Sequence, residues 1–143
     1  DLDATLLAYA GLSRLGLAEE ADALLSTDAF LPAVGQGAVA IECRVDDAET
    51  NAIIARIASR ATGIALTAER AFLAALDGSC RTPIAGLATV EGEKVRLRGV
   101  VLAPDGSDAA EAEGEAMIAE AGPLGLELGT RLRSSAPARA LGL

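Results

Sequence analysis

The sequence predicts an α/β portion followed by a small α+β domain that begins near residue 59. Apolar runs alternate with helical segments in the first third of the chain, an order typical of α/β layers. An apolar helix and a glycine-turned hairpin follow in the second part. Hydrophobic residues make up 51% of the chain and aromatic residues only 2%. The core must therefore consist mainly of Leu, Ile, Val and Ala side chains.

Two buried strands are predicted in the first third of the chain. Residues 4–10 form one short apolar run, and residues 38–43 are almost continuously apolar. Runs of this kind are typical of strands that other layers cover on both faces. Between them, residues 11–25 are predicted to be helical. The Gly35-Gln36-Gly37 segment predicts a turn, because glycine adopts backbone angles that other residues avoid.

Two helices are predicted next. Asp46 or Asp47 would cap the first, because a carboxylate there accepts hydrogen bonds from the free N–H groups of the first turn. Its apolar face would consist of Ile53, Ile54 and Ile57. Residues 60–63 are predicted to break the helical run before a second helix over residues 64–76. Gly78 is expected to end that helix in the left-handed conformation.

The remainder predicts an antiparallel sheet covered by helices. Residues 84–90 and 95–102 are rich in β-branched residues and leucine, and the glycine-bearing turn between them indicates a hairpin. Residues 107–113 are predicted to add an edge strand. Residues 124–132 are predicted to form a final helix, followed by a mobile tail.

Composition and charge exclude several kinds of partner and site. Twelve basic and 21 acidic residues give a net charge of −9, which disfavours nucleic acid and anionic membranes. No apolar run reaches the roughly 20 residues of a membrane span, and no signal-peptide pattern opens the sequence. We therefore expect a cytoplasmic protein with no nucleic-acid or membrane partner. Because histidine is absent and the two cysteines lack metal-like neighbours, no metal site is predicted.

Three motifs carry a resemblance to a known family. They are AGLSRLGL at residues 10–17, LPAVGQGAVAIECR at residues 31–44, and AERAF at residues 68–72 followed by LDGSCRTPI at residues 76–84. Together they resemble the hydroxymethylbilane synthase (porphobilinogen deaminase) family, and the similarity extends over essentially the whole chain. One motif alone would only suggest the family, whereas three at compatible spacing make coincidence improbable.

The resemblance implies a parent enzyme of three domains. In that family, two α/β lobes resemble periplasmic binding proteins, and the third domain is a three-stranded antiparallel sheet covered by helices. By similarity, residues 1–32 end the second lobe, and residues 33–58 cross over and return to the first. Residues 59–143 would form the C-terminal α+β domain with the cofactor cysteine. The family's N-terminal half is absent from this sequence, so we expect the chain to be inactive alone.

The resemblance also implies a transferase of tetrapyrrole and heme biosynthesis. The family polymerises four porphobilinogens into hydroxymethylbilane and releases ammonia. Its primer is a dipyrromethane cofactor attached by a thioether to a cysteine, which corresponds to Cys80 here. The implied partners are porphobilinogen, the growing polypyrrole and the absent N-terminal half, and the parent is expected to be a monomer. Without the motif, Cys80 would be taken for a small buried apolar residue, as Cys43 is.

The other cofactor-binding residues that the resemblance implies are Arg14, Gly35, Gln36 and Gly37. Pyrroles carry acetate and propionate groups, which arginine binds bidentately without losing its charge. Gln36 would hydrogen-bond the cofactor, while the glycines allow close approach of the backbone. On the residues alone, Arg14 could equally be a solvated side chain, and the glycines a plain turn. No acidic residue matches the family's acid–base aspartate, so no catalytic residue is predicted in this chain.

Two further interpretations stay open. Glu69 and Arg70, on the helix before Cys80, are predicted to be structural, through an ion pair or an interdomain contact. The whole chain could also be a free-standing small α+β module that binds or regulates a ligand, since a fold does not fix a function. Such a module should begin at a domain boundary, whereas residues 4–10 are predicted to be an interior strand.

Overall fold

The computed structural model describes residues 3–77 and 82–140, and the chain forms two compact units, Asp1–Phe30 and Leu31–Leu143. In the first unit, helix α1 spans Tyr9–Arg14 and a 3-10 helix spans Ala18–Glu20. The strand predicted over residues 4–10 is not formed, since residues 4–8 have no regular structure. The helix predicted to continue to residue 25 is also wrong, because no helix follows Glu20 in this unit.

The second predicted strand, over residues 38–43, is absent for a physical reason. A strand is held by hydrogen bonds to a neighbouring strand, and the sheet of the described chain uses only strands from later residues. Without a partner, the segment has no regular structure. Its apolar side chains are left open, and Val39 and Ile41 are 90% and 54% exposed.

Helix α2, Ala48–Ala55, begins where the sequence predicted. Asp47 is the N-cap: its Oδ1 accepts a hydrogen bond from the Thr50 N–H at 3.0 Å, and its Oδ2 accepts one from the Thr50 hydroxyl at 2.7 Å. The predicted apolar face is covered only in part, since Ile54 is half-buried while Ile53 and Ile57 are 59% and 69% exposed. A short helix therefore forms from local capping while much of its apolar side remains exposed.

Helix α3, Arg60–Ala75, starts four residues earlier than predicted. The Ser59 side chain caps it by accepting a hydrogen bond from the Thr62 N–H at 3.2 Å. Gly63 lies within the helix and does not break it, because glycine only weakens a helix that a cap and packing support. After the helix, Asp77 adopts the left-handed conformation, with φ of 51°. Gly78, to which the sequence assigned this role, lies outside the described residues.

The three-stranded antiparallel sheet is confirmed, in the order β1-β2-β3. Its strands are β1, Ile84–Glu91; β2, Lys94–Leu102; and β3, Ala109–Met117. Glu91 pairs with Lys94, so the hairpin turn has two residues, of which Gly92 has a positive φ of 59°. Positive φ at the first turn position alone is typical of a type II′ turn, whose twist suits a hairpin.

Two helices cover one face of this sheet. Helix α3 packs against β1, helix α4, Ala121–Arg133, packs against β3, and the two helices pack on each other. The core between helices and sheet contains the fully buried side chains of Phe72, Leu76, Val95, Leu97, Val101 and Leu128. The tail predicted to be mobile instead forms α5, Ala136–Ala140, and Ala138 is fully buried. No helix in the described ranges is both long and apolar enough to span a membrane.

Candidate functional site

The carboxylate of Glu69 lies inside the second unit and joins a loop to a strand. Glu69 is only 5% exposed. Its Oε2 accepts a hydrogen bond from the Gly35 N–H at 2.7 Å, and its Oε1 accepts one from the Ala88 N–H at 2.8 Å. A buried carboxylate is costly unless hydrogen bonds satisfy it, and bonds to a charged acceptor are the stronger kind. Glu69 was predicted to be structural, through an ion pair or an interdomain contact. The partners that its oxygens bind are backbone N–H groups, and the bond to Gly35 joins two segments that the sequence assigned to different domains.

The Gly35-Gln36-Gly37 turn is attached to the free edge of strand β1. The Pro32 carbonyl accepts a hydrogen bond from the Gly86 N–H at 3.0 Å, two residues before Ala88 on the same strand. Pro32 and Glu69 thus satisfy successive N–H groups on that edge, which would otherwise invite pairing with another chain. Gly35 and Gly37 have φ of 72° and 81°, so both positions favour glycine.

Gln36 stands at the tip of this turn and is exposed. Its N–H donates to the Ala33 carbonyl at 3.0 Å, which closes the turn without using the side chain. A Cβ atom on Gly37 would meet no atom within 4 Å. The tip therefore has an open amide side chain beside open space, an arrangement that a planar polar ligand could approach.

Cys80 lies outside the described residues, which end at Asp77 and resume at Thr82. The described parts on either side are the C-terminal end of α3 and the start of β1. At the helix end, Arg133 Nη1 donates a hydrogen bond to the Ala75 carbonyl at 3.1 Å. A cation at this position stabilises the free carbonyls of a helix C-terminus. Pro83, on the other side, accepts a hydrogen bond from the Leu102 N–H at 3.0 Å.

Arg14 is exposed in the last turn of α1 and belongs to the first unit, whereas Gly35, Gln36 and Gly37 belong to the second. An exposed guanidinium is open to carboxylate ligands. Cys43, predicted to be buried in a strand, is half-buried, and its Sγ lies 3.3 Å from Asn51 Oδ1. Within the described ranges, no three His, Cys, Asp or Glu side chains come together as metal ligands.

The sequence did not indicate a shallow cavity of about 180 Å³ beside strands β2 and β3, lined in part by Leu31, Arg98 and Arg131. Arg98 Nε lies 3.8 Å from Glu113 Oε2, and Arg131 Nη2 donates to the Glu113 carbonyl at 3.3 Å. Both guanidinium groups therefore already contact acceptors of one glutamate. An acidic ligand would compete with the Glu113 carboxylate for Arg98 and with the Glu113 carbonyl for Arg131, so the cavity is a weaker candidate than the turn at Gln36.

A ladder of opposite charges covers the open face of the sheet. Lys94 Nζ lies 2.5 Å from Glu115 Oε1, and Arg96 Nε donates to Glu113 Oε1 at 2.7 Å. The hydrogen bond and charge of Glu115 raise the pKa of Lys94 above its ordinary value. These side chains are about half exposed or more, and pairs of this kind contribute little to stability. The ladder balances charge across the strands and leaves no concentrated cationic patch there.

Two family models match the chain. The model described as "Porphobilinogen deaminase, dipyromethane cofactor binding domain" matches residues 1–52, which include Arg14 and the Gln36 turn. The model described as "Porphobilinogen deaminase, C-terminal domain" matches residues 64–134, which include Glu69 and Cys80.

Curated relatives agree with these models. Proteins named porphobilinogen deaminase from Nitrobacter hamburgensis and Nitrobacter winogradskyi are each 52% identical over 136 residues, which are 95% of this chain and 43% of the relative. The protein of that name from Paracoccus denitrificans is 50% identical over 135 residues, 94% of this chain and 43% of the relative. The chain thus spans about 43% of the length of these relatives.

Proposed function

The chain belongs to the porphobilinogen deaminase family, and we propose that it contributes to hydroxymethylbilane synthase activity as a portion of a longer enzyme. That activity joins four porphobilinogens into hydroxymethylbilane and releases ammonia. The observation that carries the proposal is the match of two domains of one family, in order, along a chain about half identical to its relatives. A free-standing regulatory module is not favoured, because the matches extend through both units.

Cys80 is proposed as the attachment point of the dipyrromethane cofactor. A thiolate is a strong carbon nucleophile, and the thioether it forms is stable to hydrolysis. When bound, the cofactor would supply an anchored pyrrole to which further pyrroles are joined. Two arginines fit a group that carries several carboxylates. Arg81 follows the cysteine in the sequence, and Arg133, the last residue of α4, donates a hydrogen bond to the Ala75 carbonyl at the end of α3.

Arg14 and the Gly35-Gln36-Gly37 turn are proposed to bind the acetate and propionate side chains or the pyrrole nitrogens of the cofactor. Arg14 would bind a carboxylate bidentately through its planar guanidinium. Gln36 carries both a donor and an acceptor, so its amide can hydrogen-bond either kind of group. Support comes from the exposure of both side chains and from their place in the range matched by the cofactor-binding model.

The first 58 residues are proposed to complete two α/β lobes that resemble periplasmic binding proteins, with residues 1–32 in the second lobe and residues 33–58 returning to the first. Support comes from apolar side chains that the chain itself does not cover. Leu6 and Leu7 are 68% and 66% exposed, and Val39 and Val45 are 90% and 97% exposed. Side chains of this type are expected to be covered by the part of the relatives' length that this chain does not span.

We further propose a cytoplasmic location and a monomeric parent enzyme, which follow from the family assignment. A net charge of −9 supports the expectation that neither nucleic acid nor an anionic membrane is a partner. Porphobilinogen and the growing polypyrrole would be the ligands. The acid–base group of the reaction is proposed to come from outside this chain, so the chain alone should not consume porphobilinogen.

The experiment that tests the attachment is the intact mass of the denatured polypeptide after purification as the holoenzyme. We expect an excess equal to two linked pyrrole units. Cys80→Ser should abolish the excess, whereas the matched variant Cys43→Ser should keep it, because the family resemblance assigns the thioether to Cys80 and the Cys43 thiol contacts Asn51. An excess retained in Cys80→Ser, or no excess in a holoenzyme that consumes porphobilinogen, would contradict the assignment.

A further inference from the structure

We propose that Glu69 is a positioning residue that fixes the Gln36 turn to the domain bearing the Cys80 loop. The proposal rests on the proposed function, because it gives the turn and the cysteine loop a common ligand. It goes further in assigning a role to a residue of this chain that contacts no ligand itself. Glu69 would hold the backbone of Gly35 and would thereby fix the position of the exposed Gln36 side-chain amide.

A single carboxylate, that of Glu69, bonds two segments of the chain at once. One carboxylate is nearly buried, and each of its oxygens accepts a backbone N–H, one from the turn and one from strand β1. An apolar side chain would fill the same core volume without the cost of desolvating a charge. What the charged side chain adds is a two-sided connection between segments that are distant in sequence. Both bonds are short, at 2.7 and 2.8 Å.

The Gly35-Gln36-Gly37 turn has few other hydrogen bonds to the sheet domain among the described residues. The hydrogen bonds from the N–H groups of Gln36 and Ala38 end on carbonyls within the turn, so they shape it without attaching it. The hydrogen bonds that attach the segment to the sheet domain are those of the Pro32 carbonyl with Gly86 and of the Glu69 carboxylate with Gly35, and the Val34 side chain packs against the core. Within the turn, whose residues the structure describes, Gly35 has a hydrogen bond to the sheet domain, whereas the structure shows none for Gln36 or Gly37. Loss of the Glu69 bond would therefore free residues 35–37 while Pro32 and Val34 stay attached.

Glu69 and the residues that lead into the cysteine loop belong to one helix. Glu69 lies in α3, whose last residue, Ala75, is about 9 Å further along the helix at 1.5 Å per residue. The cysteine loop follows directly. A helix packed on α4 and β1 moves as one body, so the turn held by Glu69 keeps a fixed distance from the start of that loop. Positioning errors near 1 Å are known to matter for reactions that depend on orientation.

The variant Glu69→Gln is the sharpest probe of this connection. It keeps the volume and one acceptor oxygen, but its NH₂ group must face one of the two N–H donors, so one of the two bonds is lost. Glu127→Gln is the matched control, because it makes the same chemical change at an exposed position of α4. Gly35→Ala perturbs the same turn independently, through a residue with φ of 72° whose Cβ would lie 3.6 Å from Leu66 Cδ2.

The structural measurement is amide hydrogen exchange on the full chain. We expect Glu69→Gln to speed exchange at Gly35 or Ala88 by about tenfold or more, while Leu97 in β2 changes by no more than about twofold. Glu127→Gln should change none of these. Unchanged exchange at both Gly35 and Ala88, or an equal increase at Leu97, would overturn the proposal. If Glu69→Gln does not fold, Gly35→Ala is measured, with Leu97 again the reference and fast exchange expected over residues 35–37.

The functional measurement is a double-mutant cycle in the holoenzyme containing this sequence. We expect Glu69→Gln and Gln36→Ala each to lower kcat by about tenfold with a smaller change in KM. The double variant should be no slower than the slower single variant, because residues that act through one another are not additive. If the kcat losses of the two single variants multiply in the double variant, or if Gln36→Ala leaves kcat unchanged, the positioning role is overturned. If the unmodified holoenzyme does not consume porphobilinogen, the proposed function fails, and the exchange measurement alone decides the proposal.

Discussion

The ring of Phe72 occupies the space that a side chain on Gly99 would need. A Cβ atom on Gly99 would lie 2.3 Å from Phe72 Cζ, far inside contact distance. Gly99 pairs across the β1–β2 hairpin with Gly86, whose Cβ would lie 3.4 Å from the same ring. Two paired glycines thus make room for a fully buried phenylalanine, the largest side chain in the core. This arrangement lets a domain poor in aromatic residues bring its helix close to its sheet.

We therefore expect Gly99→Ala to lower the free energy of unfolding by about 1–3 kcal/mol, because the ring must move or the strand must shift. The measurement is urea unfolding followed by circular dichroism. Gly63→Ala is the control, since a Cβ there meets nothing within 4 Å inside α3. It should raise stability by roughly 0.5–1 kcal/mol, because alanine favours a helix. If Gly99→Ala and the unmodified chain have the same urea midpoint, the Phe72 ring does not require the space beside Gly99.

The crossing of α3 and α4 depends on glycine in the same way. A Cβ on Gly125 would lie 2.1 Å from the Ala68 carbonyl oxygen, a backbone atom that cannot rotate away. Gly125→Ala should cost roughly 1–3 kcal/mol or more, measured by thermal unfolding. Gly122→Ala, one turn earlier in α4, should be tolerated, because its Cβ would lie 3.8 Å from Thr67 Cγ2. A similar loss in both variants would mean that helix packing is not the cause.

The cap of helix α2 should respond to acid. Hydrogen bonds from the Thr50 N–H and hydroxyl lower the pKa of Asp47 below its ordinary value of 3.8. The folded chain then holds this proton less tightly than the unfolded chain does. The contribution of the cap is therefore complete above pH 3.8 and is lost as the pH falls through the lower, folded-state pKa.

The measurement is the exchange protection of the Thr50 amide, extrapolated to a common intrinsic rate, between about pH 6 and pH 2. In the unmodified chain, we expect the protection of the Thr50 amide to decrease once the pH drops below 3.8, the ordinary carboxyl pKa. Asp47→Asn should remove that pH dependence, because an amide still caps the helix but does not titrate. Asp46→Asn should keep it. Identical profiles for Asp47→Asn and the unmodified chain would rule out the cap as the source.

The exposed apolar side chains of Val39 and Val45 should affect self-association more than stability. Val39 and Val45 are 90% and 97% exposed. Replacing both by serine should change the free energy of unfolding by no more than about 0.5 kcal/mol, as for other surface positions. It should also reduce self-association of the chain, measured by light scattering, because exposed apolar patches drive it.

The control for this prediction is Val95→Ser, at a fully buried position of β2. It should cost roughly 1.5–3 kcal/mol, because a core methyl pair is replaced by a hydroxyl. If the chain remains a monomer at every concentration before any substitution, the apolar segment is not an association surface, and the expected effect of the serines on scattering is wrong.

Locally encoded elements could be predicted from the sequence. The β1–β2 hairpin depends on Gly92 between two β-rich runs, and the start of α2 depends on Asp47 three residues before Thr50. Each involves neighbours in the chain, so composition and spacing suffice. The three motifs likewise identified the family, which the two domain models confirm. The assignments of Cys80, Arg14 and Gln36 as cofactor-binding residues stay predictions.

Elements that depend on distant partners were not determined by the sequence alone. Residues 4–10 and 38–43 have the composition of strands, yet a strand forms only where another segment accepts its hydrogen bonds. Glu69 was predicted to be structural, through an ion pair or an interdomain contact, and only the folded chain brings the Gly35 and Ala88 N–H groups to its two oxygens. Local backbone preferences are fixed by a few adjacent residues, whereas burial and pairing are fixed by packing between segments far apart in the chain. Sequence therefore determined the family, the β1–β2 hairpin and the capped start of α2. Tertiary structure decided which carboxylate holds the turn and which glycines make room for Phe72.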